Sequence, residues 1–249
     1  MKKIDLLNIS VSTGSYNDFV SSLINSAKEK KSEYTCVANV HMVVEAFKDK
    51  NFSHVVAKAN VITPDGKPLS WALQILYGIK QARVAGMDLL PDLLSHAVIQ
   101  KLPVYFYGGT DELLNRTRQY TLQHYPLLKV AGFNSPPFRI LSDEENESII
   151  KEINSSGAAL VFVVLGCPKQ EKWMASMLGK INSVMIGVGG ALPVMVGMQK
   201  RAPKWMQNSG LEWTFRLSQE PKRLFRRYLV TNSIFLYLFI RKYLSIKFS

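Results

Sequence analysis

The most constraining feature of this chain is an alternation of six short apolar runs with longer amphipathic stretches. The runs are Tyr34–Asn39, Asn60–Thr63, Val104–Tyr107, Lys129–Phe133, Ala159–Leu165 and Ser183–Val188. Several are rich in Val and apolar at successive positions, as strands are when both faces of a parallel sheet are covered. Between them, Tyr16–Lys30, Val43–Ala59, Met87–Gln100, Asp111–Tyr125, Asp143–Asn154 and Lys169–Leu178 carry helical patterns. Thr110-Asp111-Glu112 and Ser142-Asp143-Glu144-Glu145 supply helix starts. The alternation predicts an α/β fold: a Rossmann-like three-layer domain with a mainly parallel sheet.

Composition bounds the setting. Forty-seven per cent apolar and 20% charged residues in 249 exclude global disorder. Two cysteines, Cys36 and Cys167, make neither a disulfide framework nor a cysteine zinc site, so a reducing cytoplasmic compartment is expected. Four histidines without HExxH spacing, and no DxD pair, predict an absence of metal. The stretch from Met1 to Ser10 lacks the apolar core of a signal peptide.

The alternation stops near Gln199, which predicts a body over residues 1–198 and a helical appendage over 199–249. Charge divides at the same place. Eleven basic and two acidic residues give the appendage +9 of the chain's +12, leaving +3 for the body. Such a tail attracts nucleic acid, an anionic membrane face or a phosphorylated substrate. Its apolar stretch, Tyr228–Ile240, has thirteen residues and contains Thr231, Asn232 and Ser233. That is short of the roughly 20 needed to span a bilayer, so spanning is not expected. The flanking Lys222, Arg227, Arg241, Lys242 and Lys247 suit a helix lying on anionic head groups. A helix packed on the body with a solvated basic face is the plainer alternative, and self-association into a homo-oligomer is another way to cover it.

In an open α/β sheet, ligands bind beyond the carboxyl ends of the strands. Five segments lie there. Gly108-Gly109 and Gly187-Val188-Gly189-Gly190 let a backbone approach a phosphate, or simply make tight turns. Neither completes a dinucleotide fingerprint, and no P-loop is present. Thr63-Pro64-Asp65-Gly66 aims a carboxylate from a fixed turn, as a general base or as a turn cap. Asn39 and His41 share the neighbouring strand end, and Gly166-Cys167-Pro168-Lys169-Gln170-Glu171 follows another run. In the tail, Arg201, Arg216, Arg223 and Arg226 offer phosphate-binding forks or a solvated face.

These segments, with Lys200-Arg201-Ala202-Pro203-Lys204-Trp205-Met206 and the run from Gly210 to Tyr228, resemble the WecG/TagA/CpsF family of bacterial glycosyltransferases. The resemblance extends from about Tyr34 to Leu229 with the motifs in order. It implies inverting, metal-independent transfer from a UDP-sugar to a polyprenyl-diphosphate-linked saccharide, with no cofactor, in cell-surface polysaccharide synthesis. The setting it implies is peripheral, on the inner face of the bacterial cell membrane. It makes Asp65 the base, with Asn39 beside it and Gln170 in the same cleft. Thr63, His41 and the glycine pairs join the substrate site. Arg216, Arg223 and Arg226 then belong to an appendage that closes over the donor's diphosphate and attaches to the membrane. Two departures bear on donor choice: Val37 stands where many members have Thr, and Leu192-Pro193 where many have Phe-Asp. The main rival is a nucleic-acid-binding protein using the tail, but no nucleic-acid motif supports it, and nucleic acid is not expected as a partner.

Overall fold

The computed structural model describes residues 1–248. The N-terminal hairpin pairs β1 (Lys2–Leu6) with β2 (Ile9–Thr13). Then follow α1 (Tyr16–Lys28), β3 (Glu33–Ala38), α2 (Val40–Lys48), α3 (Lys50–Ala57), β4 (Val61–Pro64), α4 (Lys67–Tyr77) and α5 (Gly86–Ile99). The second half holds β5 (Val104–Gly108), α6 (Asp111–His124), β6 (Val130–Asn134), α7 (Asp143–Ser156), β7 (Leu160–Val164), α8 (Lys169–Met177) and β8 (Val184–Gly187). Helices α9 (Ala191–Met195), α10 (Lys204–Asn208), α11 (Glu212–Gln219) and α12 (Pro221–Lys247) complete the chain.

All six expected runs are strands of one sheet, in the order β4-β3-β8-β7-β5-β6, and every pairing within it is parallel. The sheet divides the interior into two cores. Tyr34, Cys36 and Ala38 of β3 face one core with Met42 and Val43 of α2, Leu69 of α4 and Met174 of α8. Val37 faces the other, with Leu89 and Leu93 of α5 and Leu192 of α9. The three-layer α/β expectation is met. β7 is buried at all five positions, which is why its sequence shows no polar face.

The structure adds what the patterns did not separate. β1 and β2 form a hairpin outside the main sheet, held to it where the Ile62 amide donates to Ser12 Oγ at 3.0 Å. The expected helix Val43–Ala59 is two helices. Asp49 ends α2 and caps α3, accepting from the Asn51 and Phe52 amides at 2.9 and 3.2 Å.

The appendage is helical, and its last helix corrects an expectation of length. The thirteen-residue apolar stretch lies within a continuous helix of 27 residues, α12. By length and composition α12 is long and apolar enough to cross a membrane. One stripe of it packs on the body: Leu224, Thr231 and Leu238 are buried, and Phe235 and Phe239 join the α2 core. Phe225, Leu229, Leu236, Tyr237, Ile240 and Leu244 remain exposed.

Candidate functional site

The chain reverses direction across the sheet between β3 and β8, its topological switch point. After β3 the chain turns into α2 on one core, and after β8 into α9 on the other. The crevice opened there is where open α/β sheets place ligands. Asn39 and Gly187 to Gly190 stand on its rim, and Asp65 follows β4 next door.

Asp65 is placed by backbone. Its amide donates to the Ala38 carbonyl at 2.7 Å, tying it to the residue before Asn39. Gly66 then takes φ +100°, a left-handed geometry that lets the chain turn at once into α4. Asn39 caps α2, its Oδ1 accepting from the Met42 amide at 3.2 Å. The two residues therefore meet at adjoining strand ends.

Asp65 as a residue is half-buried, and protein surrounds its carboxyl closely. Burial and the Glu212 charge push its pKa up to about 7, against the opposing pull of Arg83 and Arg216; Asp88 adds a smaller upward push. A carboxylate near neutrality is matched to taking a proton at physiological pH. Arg83, Asp88 and Glu212 were not singled out from sequence. Arg83 and Asp88 belong to none of the segments above, Glu212 lies unremarked within the run from Gly210 to Tyr228, and Arg83 and Glu212 are 129 residues apart.

The appendage reaches this carboxylate through α11. Arg216 Nη2 lies 2.9 Å from the point where a Cβ on Gly190 would stand, which puts its guanidinium against the β8–α9 turn. Glu212 and Arg216 line a small, narrow cleft together with Met87, Val194 and Leu224. The other three arginines are placed differently. Arg201 pairs with Asp88 at 2.5 Å. Arg223 pairs with Glu220, and both Arg223 and Arg226 are exposed. The buried stripe through Leu224 explains this: at about 100° per residue, Arg226 is turned roughly 160° from Leu224 and Arg223 about 100°. Arg227, only about 60° away, points inward instead and is half-buried.

Several expected ligand-facing residues lie in the frame of the site. Gln170 is 4% exposed, with both ends of its amide bonded: Oε1 accepts from the Gly166 amide at 3.1 Å, and Nε2 donates to Glu171 Oε1 at 2.8 Å. Its amide also fills the space beside Gly187 and Gly189. Gln170 thus braces two strand-end turns against each other. Glu171 is fully buried, which raises its pKa. Thr63 is also fully buried. His41 sits on the first turn of α2, where burial and then Arg227 lower its pKa, so it is neutral near pH 7. Gly108 and Gly109 have φ of +99° and +84°. A Cβ on Gly108 would stand 2.9 Å from the Val164 backbone, and their strand is roughly 14 Å from β3 across the sheet. Among the described residues, no group of three His, Cys, Asp or Glu side chains is arranged to hold a metal ion.

An open parallel sheet with an acid beside its switch-point crevice and a basic helical segment against it defines an α/β protein of the kind that binds ligands at its strand ends. Comparison with known proteins gives the family. The model of the glycosyl transferase WecG/TagA/CpsF family matches residues 4–248, so the chain belongs to that family and is a glycosyltransferase. It is 31% identical over 186 residues to an N-acetylglucosaminyldiphosphoundecaprenol N-acetyl-beta-D-mannosaminyltransferase of Bacillus subtilis (strain 168), covering 74% of this chain and 71% of that one. A protein of the same name from Bacillus spizizenii (strain ATCC 23059 / NRRL B-14472 / W23) is 30% identical over 196 residues, covering 78% of this chain and 74% of that one.

Proposed function

We propose that this glycosyltransferase moves a hexose or N-acetylhexosamine-type sugar from a UDP-sugar to a polyprenyl-diphosphate-linked saccharide, with inversion and without a metal ion. The observation that carries the mechanism is Asp65: backbone-fixed at the switch point, with its pKa pushed up to about 7 by burial and Glu212. The relatives' names, which specify a diphosphoundecaprenol-linked acceptor, support the acceptor class.

In this reading Asp65 takes the proton from the acceptor hydroxyl as that oxygen attacks the anomeric carbon. Attack comes from the face opposite the departing UDP, which inverts the centre. Negative charge grows on the diphosphate as the bond breaks. The Arg216 guanidinium, held against the turn at Gly190, is the group placed to meet it, and such a preorganised donor is worth several kcal/mol in a water-poor site. Residues 1–198 are the catalytic body in this account, and 199–249 the appendage that completes it; Ser249 lies outside the described residues. α12 rests on the anionic inner face of the membrane through its exposed apolar side and its Lys and Arg residues.

Val37 and Pro193 bear on donor choice. Val37 is buried against Gly86 and offers no hydroxyl, and Pro193 is half-buried on α9 with no carboxylate. The test is a screen of UDP-sugars with a polyprenyl-diphosphate N-acetylglucosamine acceptor, read by product mass. One donor adding a single sugar with release of UDP is the expected result. No product from any UDP-sugar, while another nucleotide-sugar reacts, rejects the donor class.

A further inference from the structure

Arg83 is the cation built into the neighbourhood of Asp65. It precedes Val84, whose amide donates to the Pro64 carbonyl at 2.9 Å, one residue before Asp65. A carboxylate beside a free guanidinium ordinarily forms an ion pair, which lowers its pKa by about 1–3 units and weakens it as a base. Here the guanidinium is engaged elsewhere. Nη1 donates to Glu212 Oε2 at 2.6 Å, and Nη2 to Asp88 Oδ2 at 3.1 Å and Gln207 Oε1 at 3.2 Å. Gln207 is itself oriented, since its Nε2 donates to the Ala202 carbonyl at 2.7 Å. Asp88 is shared with Arg201. Two of the three acceptors, Glu212 of α11 and Gln207 of α10, come from the appendage, and among the described residues no ion pair reaches the Asp65 carboxylate.

We propose that Glu212 is a positioning residue: by holding Arg83 away from Asp65 it leaves that carboxylate unpaired, so the base becomes competent only when the appendage is docked. The proposal rests on the reading of Asp65 as the base. The charged groups facing Asp65 are Glu212 and Arg216 from α11, Arg83 from the segment between α4 and α5, and Asp88 from α5. Removing Glu212 takes away a repelling charge and releases Arg83 toward Asp65, and both effects favour the ionised carboxylate. Removing Arg83 does the reverse. The two partners of one ion pair therefore shift the acid limb of the rate profile in opposite directions, whereas a loss that only loosened the fold would lower the rate of both variants without opposite limb shifts.

The experiment measures kcat against pH for the full-length protein with anionic vesicles carrying the lipid acceptor and its UDP-sugar. Glu212→Gln is expected to move the acid limb down by about one pH unit and lower the plateau rate. Arg83→Gln is expected to move the limb up, and Glu212→Asp to stay nearer the parent than Glu212→Gln. An unchanged limb in Glu212→Gln, or limbs shifted the same way in Glu212→Gln and Arg83→Gln, overturns the proposal while Asp65→Asn remains inactive. Should Glu212→Gln not fold, Arg83→Gln decides alone: a limb that does not rise overturns it. Full transfer by Asp65→Asn overturns the base assignment itself, a separate readout.

Discussion

Gly190 and Arg216 occupy one space: a Cβ at position 190 would stand 2.9 Å from Arg216 Nη2. Gly190 has φ −67°, an ordinary right-handed geometry, so its backbone does not require glycine. The missing side chain makes room for the guanidinium. Gly190→Ala should cost under about 1 kcal/mol in stability, since only the end of a flexible side chain must move. It should weaken protection by UDP in thermal melts about tenfold, because Arg216 is displaced. Unchanged protection would remove Arg216 from the diphosphate site.

Gln170 is expected to act through the frame. Gln170→Leu keeps the volume but leaves the Gly166 amide and the buried Glu171 carboxylate without their partner. An unsatisfied buried group costs about 1–3 kcal/mol, more if charged. Urea unfolding should show a loss of at least that size together with reduced transfer. A variant of normal stability and poor donor binding would make Gln170 a ligand contact instead.

The raised pKa of Asp65 carries a stability cost with a defined sign. Between the unfolded value near 4 and about 7, the folded state holds a proton that the unfolded state has released. Stability from this group therefore falls as pH rises through that window and levels off above it. Asp65→Asn should melt a few degrees above the parent at pH 8, with the gain disappearing by pH 4. A constant difference across the range would show that Asp65 titrates normally.

Truncation after Glu220 removes α12, and with it the exposed Phe225, Leu229, Leu236 and Tyr237 and five of the appendage's basic flanking residues, Lys222, Arg227, Arg241, Lys242 and Lys247. Recovery on anionic vesicles in a flotation assay should drop sharply. Binding of the intact chain should weaken between low and high salt, as surface attraction is screened within about 10 Å at 0.1 M. Equal flotation of the two chains would place the membrane contact elsewhere.

The sheet was legible because burial on both faces leaves an unbroken apolar signature, as in Leu160–Val164. The hairpin was not. β1 is mostly exposed and mixed in character, and its turn uses Leu7 at φ +61°, which gives no glycine signal. α4 begins without a side-chain cap, directly on Gly66 and Pro68, and so shows no start signal beyond the turn itself. At the site, the strand-end residues Asn39 and Asp65 were readable because their motifs are contiguous. The partnership of Arg83 with Glu212 was not, since it exists only once α11 lies against the segment between α4 and α5. Arg223 and Arg226 were read as sharing a face, which they do. That face is the outer one, a fact set by where Leu224, Thr231 and Leu238 pack.

The central claim is that Asp65 takes the acceptor proton. The direct measurement is the single-turnover rate of sugar transfer by Asp65→Asn to a polyprenyl-diphosphate-linked acceptor, with the fold checked by thermal melting and donor binding by UDP protection. The account predicts a loss of about 10²–10⁴-fold in rate, the usual contribution of a general base, with a melting temperature no lower than the parent's and UDP protection retained. A rate within a few-fold of the parent would contradict it.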